Sequence, residues 1–177
     1  MTAYHWALLG VAALGTLACV TATRGPDRVE AVVGLGAMGL AMTGVPALLY
    51  GGVTVLALLA LPPLLWSATG RQGRAMCLHR AASNLVMAAV LLALYALNGP
   101  ALCGDAALPL LTAEGVTLLP MSRASALFVQ GTALALMLYA LLSLRISWGV
   151  LERGRAAALM EILPMSLATI GMAVRIT

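Results

Sequence analysis

The chain has 177 residues, 62% of them apolar and 9% charged, with a formal net charge of +4. Soluble domains carry about 25% charged residues, so this composition excludes an ordinary water-borne globule. The basic residues are scattered along the chain and build no dense face for nucleic acid.

Six apolar segments follow one another, at residues 4–22, 31–50, 53–68, 81–97, 124–144 and 156–174. A bilayer span takes about 20 apolar residues, with roughly 17 as a lower limit. The segments therefore predict an all-α, polytopic transmembrane bundle of about six helices in three hairpins. Residues 1–177 would form a single integral membrane domain. All ten basic residues are Arg. Arg24 and Arg28 fall in the first gap, Arg71, Arg74 and Arg80 in the third, and Arg145, Arg153 and Arg155 in the fifth. Only Arg123 and Arg175 fall on the other side, and an eight-to-two bias sets the N-terminus outside. An Arg-only basic complement with a heavy Ala, Leu, Gly and Val load points to a GC-rich bacterium. The expected location is its inner membrane, with the lipid bilayer as the first partner.

The first segment has no Lys or Arg before Arg24, and Leu17 in Thr16-Leu17-Ala18-Cys19 stands one place too late for a lipoprotein cleavage box. A retained anchor is expected. In the second segment, Ala37-x-x-x-Ala41 and Gly39-x-x-x-Thr43 offer small faces for close helix packing. Pro46 either kinks or ends that segment, and Tyr50-Gly51-Gly52 reads as a tight turn into the third. Pro62-Pro63 should bend or break the third segment, and Pro164 plays a similar part early in the sixth. Tyr4, Trp6, Tyr50 and Tyr95 fall near the outer interface, and Trp66 and Trp148 near the inner one. Amphipathic rings favour those depths. Residues 98–122 are the one loop of appreciable length.

The densest run of soft ligands is Met76-Cys77-Leu78-His79, and the topology places Cys19 at the same end of the bundle. Thiolate, thioether and imidazole suit Cu(I) or Zn. The metal candidates are His79, Cys77, Met76 and Cys19, joined by Met38, Met42, Met87, Met165 and Met172 within the even-numbered segments. Packing is the competing role for these methionines. Glu30 and Glu161 add ionisable groups to the same inner level, and Glu161 lies deepest in an apolar segment. Such a residue marks function by default; its alternative is a carboxylate paired with Arg153 or Arg155. Asn84 and Gln130 are expected to hydrogen-bond between helices. His5 and His79 fall on opposite faces, about 30 Å apart, which excludes bis-His haem within one chain. Cys103 lies outside and Cys19 and Cys77 inside, so no intrachain disulfide is expected. No Walker loop, nucleophile elbow or H-E-x-x-H motif is present, so no catalytic residue is assigned.

The even-numbered segments resemble those of an uncharacterised actinobacterial family of polytopic membrane proteins. In that family alternate helices carry His and Met, and the second helix bears a phrase like H-x-x-M-x-x-x-M before a Pro-containing exit. Gly36-Ala37-Met38-Gly39-Leu40-Ala41-Met42 with Pro46 is similar to that phrase, as Leu78-His79-Arg80 with Met87 is to its fourth-helix form. Glu161, Met165 and Met172 resemble the last. Glu30 and Glu161 stand near the positions where the family has His. The resemblance implies a helical membrane architecture.

The leading expectation is a non-enzymatic accessory or structural membrane component with no cofactor, seated against a larger membrane protein or a second copy of itself. The alternative is a soft-metal protein binding or transporting copper through Met, His and Cys. A cofactor-dependent membrane enzyme is the third.

Overall fold

The apolar segments fold as helices whose ends differ from the hydropathy boundaries. The computed structural model describes residues 3–22, 25–43, 45–69, 73–98, 110–112, 115–117, 123–154 and 156–173. The helices are α1 (Ala3–Ala22), α2 (Pro26–Ala41), α3 (Pro46–Leu59), α4 (Leu61–Thr69), α5 (Arg74–Asn98), α6 (Arg123–Glu152) and α7 (Ala156–Ala173). Two three-residue strands, β1 (Leu110–Thr112) and β2 (Gly115–Thr117), pair antiparallel with Leu110 opposite Thr117. This ribbon falls in the segment expected to be loop throughout, and the molecule is otherwise an all-α bundle.

Three stretches are long and apolar enough to cross a membrane: Pro46–Ser67, Arg74–Tyr95 and Leu127–Glu152. Trp6–Thr21 and Ala158–Gly171 are shorter apolar helices. This is the build of a membrane protein. The first of the three stretches combines α3 and α4, so the seven helices among the described residues make six bundle members.

The break between α3 and α4 comes where Pro62-Pro63 predicts it. Neither proline can donate to the helical ladder, and the chain turns at Ala60, whose N–H reaches Ala57 O at 3.3 Å. Pro164 is held inside α7. Pro46 does neither of the things expected of it. It is the first residue of α3, where its missing N–H costs nothing, and Val45 before it is extended. Thr43 and Val45 therefore lie between α2 and α3, and Tyr50-Gly51-Gly52 is helical.

Gly52 instead serves packing. A Cβ built on it would lie 2.5 Å from Ala37 O and 2.9 Å from Ala41 Cβ. The Ala37-x-x-x-Ala41 face is thus the seat of α3 on α2, and only a residue without a side chain lets the backbones meet. Thr43, on the other small face, is exposed and bonds Leu40 O.

Helices also run past the apolar boundaries into charged sequence. Arg, Glu, Met and Ala are good helix formers, and a charge ends a hydropathy window without ending a hydrogen-bonded ladder. Arg74 and Arg80 lie in α5, Arg145 in α6, and Arg28 and Glu30 in α2.

Contacts between helix ends fix the alternation of direction. The end of α4 meets the start of α5 through Arg74 Nε and Ser67 O at 3.2 Å. The start of α3 meets the end of α5 through the edge-to-face rings of Tyr50 and Tyr95, 5.9 Å apart. Consecutive bundle members are therefore antiparallel here. The first and last helices also pack closely, at Gly15, where an added Cβ would sit 3.2 Å from atoms of Pro164 and Met165. The α5 span is the central one, 67% buried in its most apolar stretch, whereas that of α6 is 17% buried and turns Leu134, Met137, Leu138, Leu141 and Leu144 outward. Such an apolar exterior belongs in lipid, where exposed Leu has no hydration cost.

Candidate functional site

Most helix hydroxyls in this bundle are satisfied by their own helix. Thr16, Thr54, Thr132 and Thr169 each bond the carbonyl four residues back, at 2.7–3.0 Å, which lets a polar residue ride in an apolar helix. The exceptions gather in one place.

Arg80 is the seventh residue of α5, about 9 Å along the axis from its start. Its Nη1 lies 3.0 Å from Asp27 Oδ2 at the start of α2, and its Nε 2.7 Å from Glu161 Oε1 on α7. Its Nη2 reaches Cys19 Sγ near the end of α1 at 3.6 Å. The planar guanidinium presents several donors in fixed directions, so one side chain ties four helices together. The side chains of Arg80, Asp27 and Glu161 are 15%, 10% and 9% exposed, which makes this a largely buried ionic cluster. Glu161 thus pairs with Arg80. The Arg153 alternative is not realised, and Arg155 lies outside the described residues.

A third carboxylate stands beside the cluster. Glu30 Oε1 accepts from Asn84 Nδ2 at 3.4 Å, while Glu30 Oε2 is buried with no hydrogen-bond partner among the described residues. Asn84 is therefore the interhelical donor expected; Gln130 is exposed on α6. His79, 2% exposed, stacks on Tyr139 with ring centroids 5.5 Å apart, and its Nδ1 lies 3.4 Å from Ser143 Oγ. Tyr139 in turn meets Ser166 of α7 at 3.4 Å. This polar relay joins α5, α6 and α7, and it leaves His79 Nε2 and Ser83 Oγ buried without partners among the described residues.

The ionic cluster, Glu30, Asn84, His79 and Ser83 border a cavity of about 40 Å³, room for a few waters or a small ion. Its polar wall carries Thr16, Cys19, Asp27, Glu30, His79, Arg80, Ser83, Asn84 and Glu161. Its other lining includes Met38, Met87 and Met165, from α2, α5 and α7, with Leu35, Leu56 and small residues. Of the metal candidates, Cys19, His79, Met38, Met87 and Met165 reach this cavity, as do the ionisable candidates Glu30 and Glu161. Met76, Cys77 and Met42 are not in its lining, although Cys77 and Met42 are buried. The side chain of Met172 lies outside the described residues, as do that of His5 and all of Cys103. Among the described residues, no three His, Cys, Asp or Glu side chains form a group able to hold a metal ion.

Asp27, Arg80, Ser83, Tyr139, Ser143 and Ser166 are site residues that sequence reasoning missed. Only Asp27 and Arg80 carried a signal, as opposite charges flanking apolar segments on the same side of the bundle. No protein-family model, curated protein or solved structure matches the chain.

Proposed function

We propose that the protein is a six-pass inner-membrane protein, N-terminus outside, that takes a small cation into the interior of its bundle and catalyses no covalent chemistry. The observation that carries this is a charge imbalance around one cavity. Asp27, Glu30 and Glu161 bring three carboxylates and Arg80 a single guanidinium. Asp27 Oδ2 and Glu161 Oε1 are spent on Arg80, while Glu30 faces no cation directly and has one oxygen without a hydrogen-bond partner among the described residues. A carboxyl group buried in a membrane bundle with an oxygen left unpartnered is costly, and a positive guest relieves it. His79 Nε2 and Ser83 Oγ supply further unused polar atoms on the same lining. The Arg bias supports the orientation, which puts the ionic cluster toward the cytoplasm. An accessory or structural role asks only for the apolar exterior and leaves the assembled polar cavity without a purpose.

The test is thermal unfolding of the purified protein in detergent against Na⁺, K⁺, Mg²⁺, Zn²⁺, Ag⁺ and Cu⁺. A ligand at a hundred times its dissociation constant stabilises the folded state by about 2.7 kcal/mol. At least one cation should raise the midpoint of the wild type and have a much smaller effect on Glu30→Gln. The proposal fails if none of them shifts the wild type, or if the shift persists in Glu30→Gln.

A further inference from the structure

We propose that the guest is a soft monovalent cation, Cu(I), held by the thioether sulfurs of Met38, Met87 and Met165. This rests on the reading that the cavity takes a cation, and it names the class. The first argument is which donors are left over. Asp27 and Glu161 each give one oxygen to Arg80 and Glu30 gives one to Asn84, which leaves at most three carboxylate oxygens for an ion. A hard cation such as Mg²⁺ or Ca²⁺ wants six or more oxygens, and the cavity has few to give. A zinc site wants three or four thiolate, imidazole or carboxylate ligands, and no such group forms among the described residues.

Sulfur is over-represented in the cavity. Ten methionines in 177 residues would place about one in a lining of 18 residues. Three are there, one from each of three helices. Met38 and Met87 are 1% and 3% exposed and Met165 is half-buried, so two of the three sulfurs come from the bundle interior. Thioether ligands select Cu(I) among the biological metals. They are neutral, so the charge of a monovalent ion is left to answer the surplus carboxylate of Glu30. Cys19, with Arg80 Nη2 at 3.6 Å from its sulfur, lines the same cavity as a further soft donor. Binding involves no change of oxidation state; the ion enters and stays as Cu(I).

The experiment is titration of the purified protein with Ag(I), and with Cu(I) held reduced and competed against a chromophoric chelator. The variant is Met38→Leu/Met87→Leu/Met165→Leu, since Leu replaces Met with little loss of packing. The wild type should bind one ion, and the triple variant should lose at least about a hundredfold in affinity, since losing outer-shell partners alone costs about 10–100-fold. A second measurement needs no variant: the methyl carbon signals of three methionines in isotope-labelled wild type should shift on Ag(I) addition. Unchanged affinity in a folded triple variant, or the absence of methionine shifts, overturns the thioether site. If Na⁺, K⁺ or Mg²⁺ stabilises the wild type through Glu30 while Ag(I) and Cu(I) do not bind, the soft-cation assignment falls and the cation cavity stands. If no cation binds, both fall.

Discussion

Arg80 meets two carboxylates and a thiol from three other helices, and this sets what its removal should do. Breaking a buried ion pair from one side leaves the remaining charges without compensation and costs about 3–5 kcal/mol. Replacing all members with neutral groups of similar shape removes the desolvation cost along with the attraction. Arg80→Met should therefore lower stability in detergent by about that amount, and Arg80→Met/Asp27→Asn/Glu161→Gln should recover most of it. If the single variant melts no lower than the triple, the cluster does not hold the helices together. None of this pairing was legible from the residues in order. Arg80 sits at an apolar boundary, where an arginine is equally at home as an interfacial anchor. The spacing between residues 27, 80 and 161 carries no periodicity that would join them. Glu161 was recognisable as a residue of consequence by its depth, and its partner was not.

At the scale of the element, the small-residue face of α2 was readable because Ala at positions 37 and 41 lies on one stripe of the helix. The residue it receives was misplaced, since two adjacent glycines after an aromatic look like a turn. They are helical because Pro46 starts α3 earlier, and their different surroundings give a contrast that can be measured. Gly52→Ala puts a methyl 2.5 Å from Ala37 O, where backbone faces backbone and neither can yield without moving a helix. It should destabilise by about 1–3 kcal/mol, the usual cost of overpacking. Gly51→Ala has nothing within 4 Å of the added carbon, and it should be neutral or stabilising by about 0.5–1 kcal/mol through helix propensity. Unfolding of the two variants side by side checks this, and equal melting points would remove Gly52 as the α2–α3 seat. The double proline needed no such correction, because its effect on the ladder is local and independent of what lies alongside.

For the whole molecule, six bundle members and their alternation followed from hydropathy and Arg placement because both act through the solvent, without reference to contacts. The cavity was not legible, since it exists only where α1, α2, α3, α5 and α7 converge. The proposed topology makes a prediction that contacts alone do not supply. With the N-terminus outside, the α2–α3 turn lies outside and the α6–α7 turn inside. Thr43 and Arg153 are exposed at those two places, while Cys19 and Cys77 are buried at 4% and 1% exposure and should react slowly with a bulky reagent. In a Cys103→Ser background, Thr43→Cys should be labelled in intact cells by a membrane-impermeant maleimide. Arg153→Cys should be labelled only after the membrane is opened. The reverse order would invert the protein and place Arg80, Asp27, Glu30 and Glu161 toward the exterior, which would turn the mouth of the proposed site to the oxidising side. Because Cu(I) persists where reductants are present, an inverted orientation would count against the soft-cation assignment as well as against the arginine rule.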